Sequence, residues 1–397
     1  MRKSLLVSVM VLLVVGMVLS ACAPAATPAA VPTQPAAEVP AAADAPTATP
    51  AATELPAGSV IINGAGATFP LPVYNEWTFA YQYVDPAVVI NYQGIGSGGG
   101  KKGIIDNTID FAGSDSLLKE EEYTAGGDLQ MYPMLAGAVV VIYNVKWAKD
   151  FPEGFKESAL VLDRQTLVDI FNAKITKWND PAITALNPEM AEYLPDATIT
   201  VAHRSDGSGT TEIFTKALSA FSPDWTAGGA SSVEWPVDLA GNGIGGKGNQ
   251  GVAAAVINTS NSIGYVELSY AISNGMKFFD LINKAGNKVT ASADSVAADM
   301  TDFAGSFSDK LTATIVDGEG AESYPIVGYT YIILHTTSMT DCVKAEKLLD
   351  FLTWALTDEG AATAASKLGY SVLPEAVRDQ VLAKYAEVTC NGAAVIK

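Results

Sequence analysis

Two spacings of apolar residues alternate from Val60 onward. Val60-Ile61-Ile62 is a short unbroken apolar run and predicts a buried strand. Pro70 and Pro72 open a stretch in which Val73, Trp77, Ala80, Tyr81 and Val84 recur at helical spacing. Proline suits a helix's first turn, because the N–H it lacks would have had no partner there. The pair then repeats. Val88 to Tyr92 predicts a strand and Gly94 to Gly100 a loop, and the following segment carries Ile104 and Ile105 on one face. Ile109 to Asp115 predicts a short strand that delivers Asp115 into another loop. Three strand ends in succession, each closed by Gly, Ser or Thr, imply an α/β sheet with ligand loops along its carboxyl edge.

A fourth strand end is the most informative. Thr198 to Ala202 is β-rich, and Ile213, Phe214, Ala217, Leu218 and Phe221 follow at helical spacing. Between them lies Arg204-Ser205-Asp206-Gly207-Ser208-Gly209-Thr210, placed at a helix N-terminus. Free backbone N–H groups and the helix dipole favour an anion there. Gly207 and Gly209 allow close approach to the backbone, and Ser208 and Thr210 add hydroxyl donors. Arg204 offers a planar fork, with Asp206 near enough to hold it. A glycine turn capping an ordinary helix is the alternative. The sequence separation assigns Asp115 and Arg204 to two domains that face one another.

Further along, Ala138 to Asn144 predicts a buried strand crossing between domains, and Arg164 to Phe171 a helix. Ile263 to Glu267 and Tyr329 to His335 predict strands, and Glu346 to Leu356 a helix with a broad apolar face. Two glycine motifs imitate nucleotide sites. Gly94 to Gly99 spells G-x-G-x-x-G, without the acidic residue that ends a following strand in a dinucleotide fold. Gly241 to Asn249 nearly spells a Walker A loop, but position 248 is Gly where Ser or Thr belongs, and no strand immediately precedes it. A flexible loop beside the ligand cleft, with Lys247 facing solvent, is the economical reading.

Composition narrows the partners. With 24 Lys and Arg against 43 Asp and Glu, the 397-residue chain carries a net charge of −19, which argues against nucleic acid and anionic lipid. Any anion site here must work through short-range dipoles and one or two local charges. Arg2-Lys3, the apolar run Leu5 to Leu19, and Leu19-Ser20-Ala21-Cys22 describe a secretory signal over residues 1–22. The placement of Cys22 resembles a bacterial lipobox, with Cys22 as the lipidated first residue of the mature chain. Residues 23–57 are nearly all Ala, Pro and Thr and read as a disordered tether. Cys342 and Cys390 either form a disulfide that ties the C-terminal tail or remain two buried thiols. No His/Cys cluster has metal-ligand spacing, and His203 and His335 read as structural.

Taken together, Gly64 to Pro70, Gly94 to Ser97, Asp110 to Asp115 and Arg204 to Thr210 resemble the phosphate-binding proteins of bacterial ABC-type phosphate importers. The likeness runs from about Ser59 to near the C-terminus and includes Leu162 to Leu167, Lys174 to Trp178, Gly246 to Asn249 and Ile263 to Glu267. It implies a type II periplasmic-binding-protein-like clamshell of two α/β domains joined by hinge strands. We expect residues 58–144 plus 320–397 as domain I and 145–319 as domain II. It implies a phosphate site of Thr68, Phe69, Ser97, Asp115, Arg204, Ser208, Gly209 and Thr210, with Asp206 and Gly207 in support. It further implies a monomeric, extracytoplasmic, lipid-anchored carrier without cofactor, metal or catalysis that hands phosphate to a membrane permease. Two departures are Gly98, where relatives often carry a second Ser, and His203, where a second Arg is frequent. Neither touches the core ligand set.

Proton counting gives Asp115 a role in such a site. Near neutral pH phosphate keeps at least one proton and sulfate keeps none. An ionised Asp115 only accepts hydrogen bonds, so it pairs with P–OH and opposes sulfate. A site built on such a bond rejects the analogue lacking the donor by roughly 10⁴-fold. The rival readings are a binding protein for sulfate, molybdate or a phosphonate, a secreted phosphatase or serine hydrolase using Ser208 or Ser97, and an adhesive surface protein. Neither serine sits in G-x-S-x-G.

Overall fold

A computed structural model describes residues 58–396. The expected leader, Cys22 and the 23–57 tether lie outside the described residues.

The strands are β1 (Val60–Gly66), β2 (Val88–Gly94), β3 (Phe111–Ser114), β4 (Leu129–Asn144), β5 (Val161–Leu162), β6 (Thr200–Arg204), β7 (Gly243–Gly246) and β8 (Ser262–Glu267). After them come β9 (Lys277–Phe278), β10 (Asp280–Ile282), β11 (Lys288–Val289), β12 (Val327–His335) and β13 (Ser371–Val372). One curled sheet runs in the order β2-β1-β3-β12-β4-β8-β6-β7, while β5, β10 and β11 form a small separate sheet. β2, β1 and β3 are parallel, as are β8, β6 and β7. Antiparallel β12 and β4 join these two parallel sets.

β4 is the common member of both halves. Nine of its first ten residues pair with β12, from Leu129↔His335 to Ala138↔Val327, with Met134 bulged out of the ladder. Its last six pair with β8, from Val139↔Glu267 to Asn144↔Ser262. The opposite edges change as well: β13 lies against Leu135 and Ala136, and β9 against Ile142 and Tyr143. Every residue of β4 from Met131 to Tyr143 is buried. That burial explains the unbroken apolar run in this part of the sequence. By contacts, the described residues form one compact body.

Helices follow the sheet's strand ends. α1 (Leu71–Tyr81) buries Val73, Tyr74, Trp77 and Tyr81. Val84, expected on that face, lies beyond the helix end and is exposed. α2 (Ser97–Ile105) starts within the glycine run, so the expected loop over Gly94 to Gly100 ends at Gly96. The glycines serve packing here: a Cβ on Gly100 would lie 2.6 Å from the Cα of Gly66, so only glycine lets α2 rest on β1. α3 (Gly209–Phe221) buries Ile213, Phe214, Ala217, Leu218 and Phe221, the spacing read from the sequence. Gly241 to Asn249 is corrected from flexible loop to the strand β7 followed by the first turn of α4 (Gly248–Asn258). Ile244 is the one large apolar residue there, so hydrophobic patterning gave no sign of a strand. Lys247 is exposed, as expected.

Among the described residues no helix is long and apolar enough to cross a membrane. Cys342 and Cys390 are joined as a disulfide with Cα atoms 5.4 Å apart.

Candidate anion site at the sheet's carboxyl edge

Five of the six parallel strands end by presenting polar groups at the same place. β1 leads to Thr68 and Phe69, β2 to Ser97, β3 to Asp115, β6 to Arg204 and β7 to Asn249. All six are buried.

Arg204 is the positive centre. Its Nε donates to Asp206 Oδ1 at 2.7 Å and its Nη2 to Asp206 Oδ2 at 2.6 Å, a two-pronged grip that fixes the guanidinium plane. Asp206 also accepts the Gly248 N–H at 3.0 Å, which ties this loop to the start of α4. Burial pushes the Asp206 carboxyl up, but Arg204 and the Gly248 N–H outweigh it and hold the group below the usual range. The remaining Arg204 nitrogen, Nη1, points to Thr210 Oγ1 at 3.4 Å.

Ser208 caps α3, its hydroxyl accepting from Thr211 N at 3.1 Å. Gly209 and Thr210 therefore open the helix, where backbone N–H groups lack intrahelical partners. From the other parallel set, Ser97 Oγ accepts the Gly209 N–H at 3.1 Å and the Asp115 N–H at 3.3 Å. Gly98 N donates to Gly207 O at 3.1 Å, a further contact between these loops. Thr68 Oγ1 receives Asn249 N at 3.1 Å and Asn249 Nδ2 at 2.9 Å, and that same Nδ2 reaches Thr210 Oγ1 at 3.1 Å. All eight core residues singled out from the sequence thus come together, with Asp206 and Gly207 beside them.

Asp115 is a buried carboxyl without an ion-pair partner of its own. Burial pushes it up to about 7, while Thr330, the Arg204 charge and Ser97 act downward. Thr330 donates to its Oδ1 at 2.7 Å, and Ser97 Oγ lies 3.5 Å from its Oδ2. Oδ2 is accordingly the more weakly engaged acceptor.

Four further contributors carry no local signal in the sequence. Thr330 sits in an apolar run of β12 and looks like a strand residue. Asn249 sits in a glycine-rich segment without hydrophobic pattern. Tyr270 donates to the Thr68 carbonyl at 2.5 Å, and Tyr370 to the Phe69 carbonyl at 2.7 Å. These tyrosines come from distant parts of the chain, so no local motif announces them. His203 and His335 are structural: His203 stacks on Trp235 and contacts Asp238, and His335 contacts Asp128.

Two parallel strand sets joined by antiparallel crossovers, with polar loops converging at their carboxyl ends, define a substrate-binding protein of the periplasmic type. Residues 37–359 match the family model described as a PBP superfamily domain. The phosphate-binding protein PstS of Pasteurella multocida (strain Pm70) is 40% identical over 82% of this chain and 89% of its own. The protein of the same name from Methanocaldococcus jannaschii is 37% identical over 80% of this chain and 84% of its own. The chain belongs to the PBP superfamily and, within it, to the PstS phosphate-binding protein family. Solved structures share the fold at lower identity. A high-affinity periplasmic phosphate-binding protein (PfluDING) bound with phosphate superposes with TM-score 0.63 at 23% identity, covering 82% of this chain and 93% of that one. A phosphate-binding protein from Stenotrophomonas maltophilia gives TM-score 0.60 at 22% identity, over 85% and 96%.

Proposed function

We propose that this protein captures inorganic phosphate outside the cytoplasm and delivers it to an ABC-type importer, without catalysis. The observation that carries this reading is the pairing of many donors with one acceptor. Arg204, the Thr210 amide, and the Thr68, Ser97 and Thr210 hydroxyls suit a tetrahedral oxyanion, and Asp115 suits one that still bears a proton. Hydrogen bonds to a charged partner contribute roughly 1.5–3 kcal/mol each, so this donor set supports micromolar or tighter binding after entropic losses. Because Arg204 is already neutralised by Asp206, attraction rests on short-range dipoles, which suits a chain of charge −19.

The ligand set is Thr68, Phe69, Ser97, Asp115, Arg204, Ser208, Gly209 and Thr210. Residues 58–144 with 320–397 form one lobe and 145–319 the other, and the change of partners along β4 supports a hinge there. Cys22 carries the lipid anchor, and residues 23–57 give the lobes reach from the membrane. Isothermal titration with phosphate and sulfate at two pH values tests the reading. Tight phosphate binding with little sulfate binding is expected. Equal affinity for both, or turnover of a phosphate ester, would overturn it.

A further inference from the structure

We infer that Asn249 fixes the direction of the hydroxyl protons of Thr68 and Thr210, turning both into obligate donors. The inference rests on the proposal that these two hydroxyls face the bound oxyanion.

A hydroxyl has one proton to give and two lone pairs to fill. Thr68 Oγ1 faces the Asn249 backbone N–H at 3.1 Å and the Nδ2 amide at 2.9 Å, and both of these can only donate. Both lone pairs are taken, so the Thr68 proton has to be given to a third partner. Thr210 Oγ1 is in the same position, facing Asn249 Nδ2 at 3.1 Å and Arg204 Nη1 at 3.4 Å. One amide group thus spends one proton on each threonine.

The amide itself cannot turn over. Asn249 Oδ1 accepts the Glu267 backbone N–H at 2.9 Å, and a backbone N–H needs an oxygen opposite it. The side chain is fully buried, leaving no water to exchange partners with. The Asn249 N–H is an unpartnered donor of the first turn of α4, and Thr68 from the far strand set fills it. Asn249 is therefore a positioning residue that couples assembly of the site to its polarity. Its work complements that of Asp115. Asp115 accepts the one P–OH, while the two threonines can only meet bare phosphate oxygens.

Titration calorimetry with inorganic phosphate tests this on the wild type, Asn249→Ala and Asn249→Asp at pH 8.5 and pH 5.5, with thermal unfolding as a control. Asn249→Ala frees the lone pairs and is expected to weaken phosphate about 10-fold at both pH values. In Asn249→Asp the ionised carboxylate draws the threonine protons toward itself, and the expected loss at pH 8.5 exceeds 100-fold. Protonation restores a donor, so the gap to wild type narrows to about 10-fold at pH 5.5. In a Thr210→Val background the cost of Asn249→Ala is expected to shrink, because one of its two clients is gone. An Asn249→Ala protein that binds phosphate within twofold of wild type would overturn the inference, as would an unchanged cost in the Thr210→Val background. If Asn249→Ala fails to fold, the pH response of the nearly isosteric Asn249→Asp decides alone. A wild type that ignores phosphate would instead overturn the functional proposal.

Discussion

A Cβ placed on Gly209 would lie 2.5 Å from the Cβ of Asp115 and 2.6 Å from its carbonyl carbon. The helix start that brings the amide donors and the strand end that brings the acceptor acid are in contact through a missing side chain. No rotamer change relieves a clash with backbone, so Gly209→Ala forces the two loops apart. Phosphate affinity is expected to fall 100-fold or more by calorimetry.

Asp115 titrates within reach of ordinary buffers. With its carboxyl raised to about 7, chiefly by burial, it is ionised above that pH and neutral below. The neutral acid can donate to sulfate. Sulfate is therefore expected to compete poorly at pH 8.5 and measurably at pH 5.5. Asp115→Asn makes the competition independent of pH. Thr330→Val removes the 2.7 Å hydrogen bond that favours the ionised form, so the onset of sulfate competition moves to higher pH. Radiolabelled phosphate displaced by sulfate across pH reads all three.

Arg204→Ala leaves Asp206 and Asp115 without their nearby cation. Phosphate binding is expected to drop below detection in calorimetry, a loss of at least 10³-fold. Arg204→Lys does not restore it, because an ammonium cannot reproduce the two-pronged grip on Asp206.

Glu267 is wholly buried, its Oε2 accepting from Ser269 N at 2.9 Å and lying 2.8 Å from the Tyr370 hydroxyl, while Oε1 has no partner among the described residues. Burial, against the Ser269 and Tyr370 hydrogen bonds, pushes it up to about 8. The folded protein therefore holds a proton that the unfolded chain releases above the ordinary Glu range of about 4.3. Stability contributed by the neutral acid is complete below that range and is lost as pH rises toward about 8, at a slope approaching 1.4 kcal/mol per pH unit. Asp299, buried and raised to about 8, adds to the same trend. Glu267→Gln is expected to flatten part of this decline in urea unfolding between pH 5 and pH 8.

The Cys342–Cys390 bridge closes a loop with a sequence separation of 48. Loop-closure entropy sets its contribution at about 4 kcal/mol. Reduction, or Cys342→Ser with Cys390→Ser, is expected to lower the urea midpoint clearly. Phosphate affinity stays within a few-fold, because neither cysteine belongs to the site.

Legibility in the sequence followed the range of the forces involved. Arg204 to Thr210 could be read because its chemistry is local: strand, turn, cap and helix follow one another within a few residues. Thr68, Ser97 and Asp115 were legible for the same reason, each closing its own strand. The length of β4 was only half visible, since Met131 to Ala136 gave no separate signal and only Ala138 to Asn144 was marked as a crossing strand. β7 and the true start of α2 were hidden because glycine obeys a packing requirement that hydropathy does not record. Asn249, Thr330, Tyr270 and Tyr370 were invisible as partners because their contacts with the loops after β1 and β3 span 181 to 301 positions in the chain.

Along β4, pairing with β12 ends at Ala138 and pairing with β8 begins at Val139, while β13 pairs up to Ala136 and β9 from Ile142. If the two proposed lobes close about this stretch, movement between the halves of the sheet is taken up largely by torsion of β4, whose ladders on either side stay intact. Ligand entry and release would then follow a single repeatable arc, which presents the same pair of outer surfaces to a waiting permease every time the jaws meet.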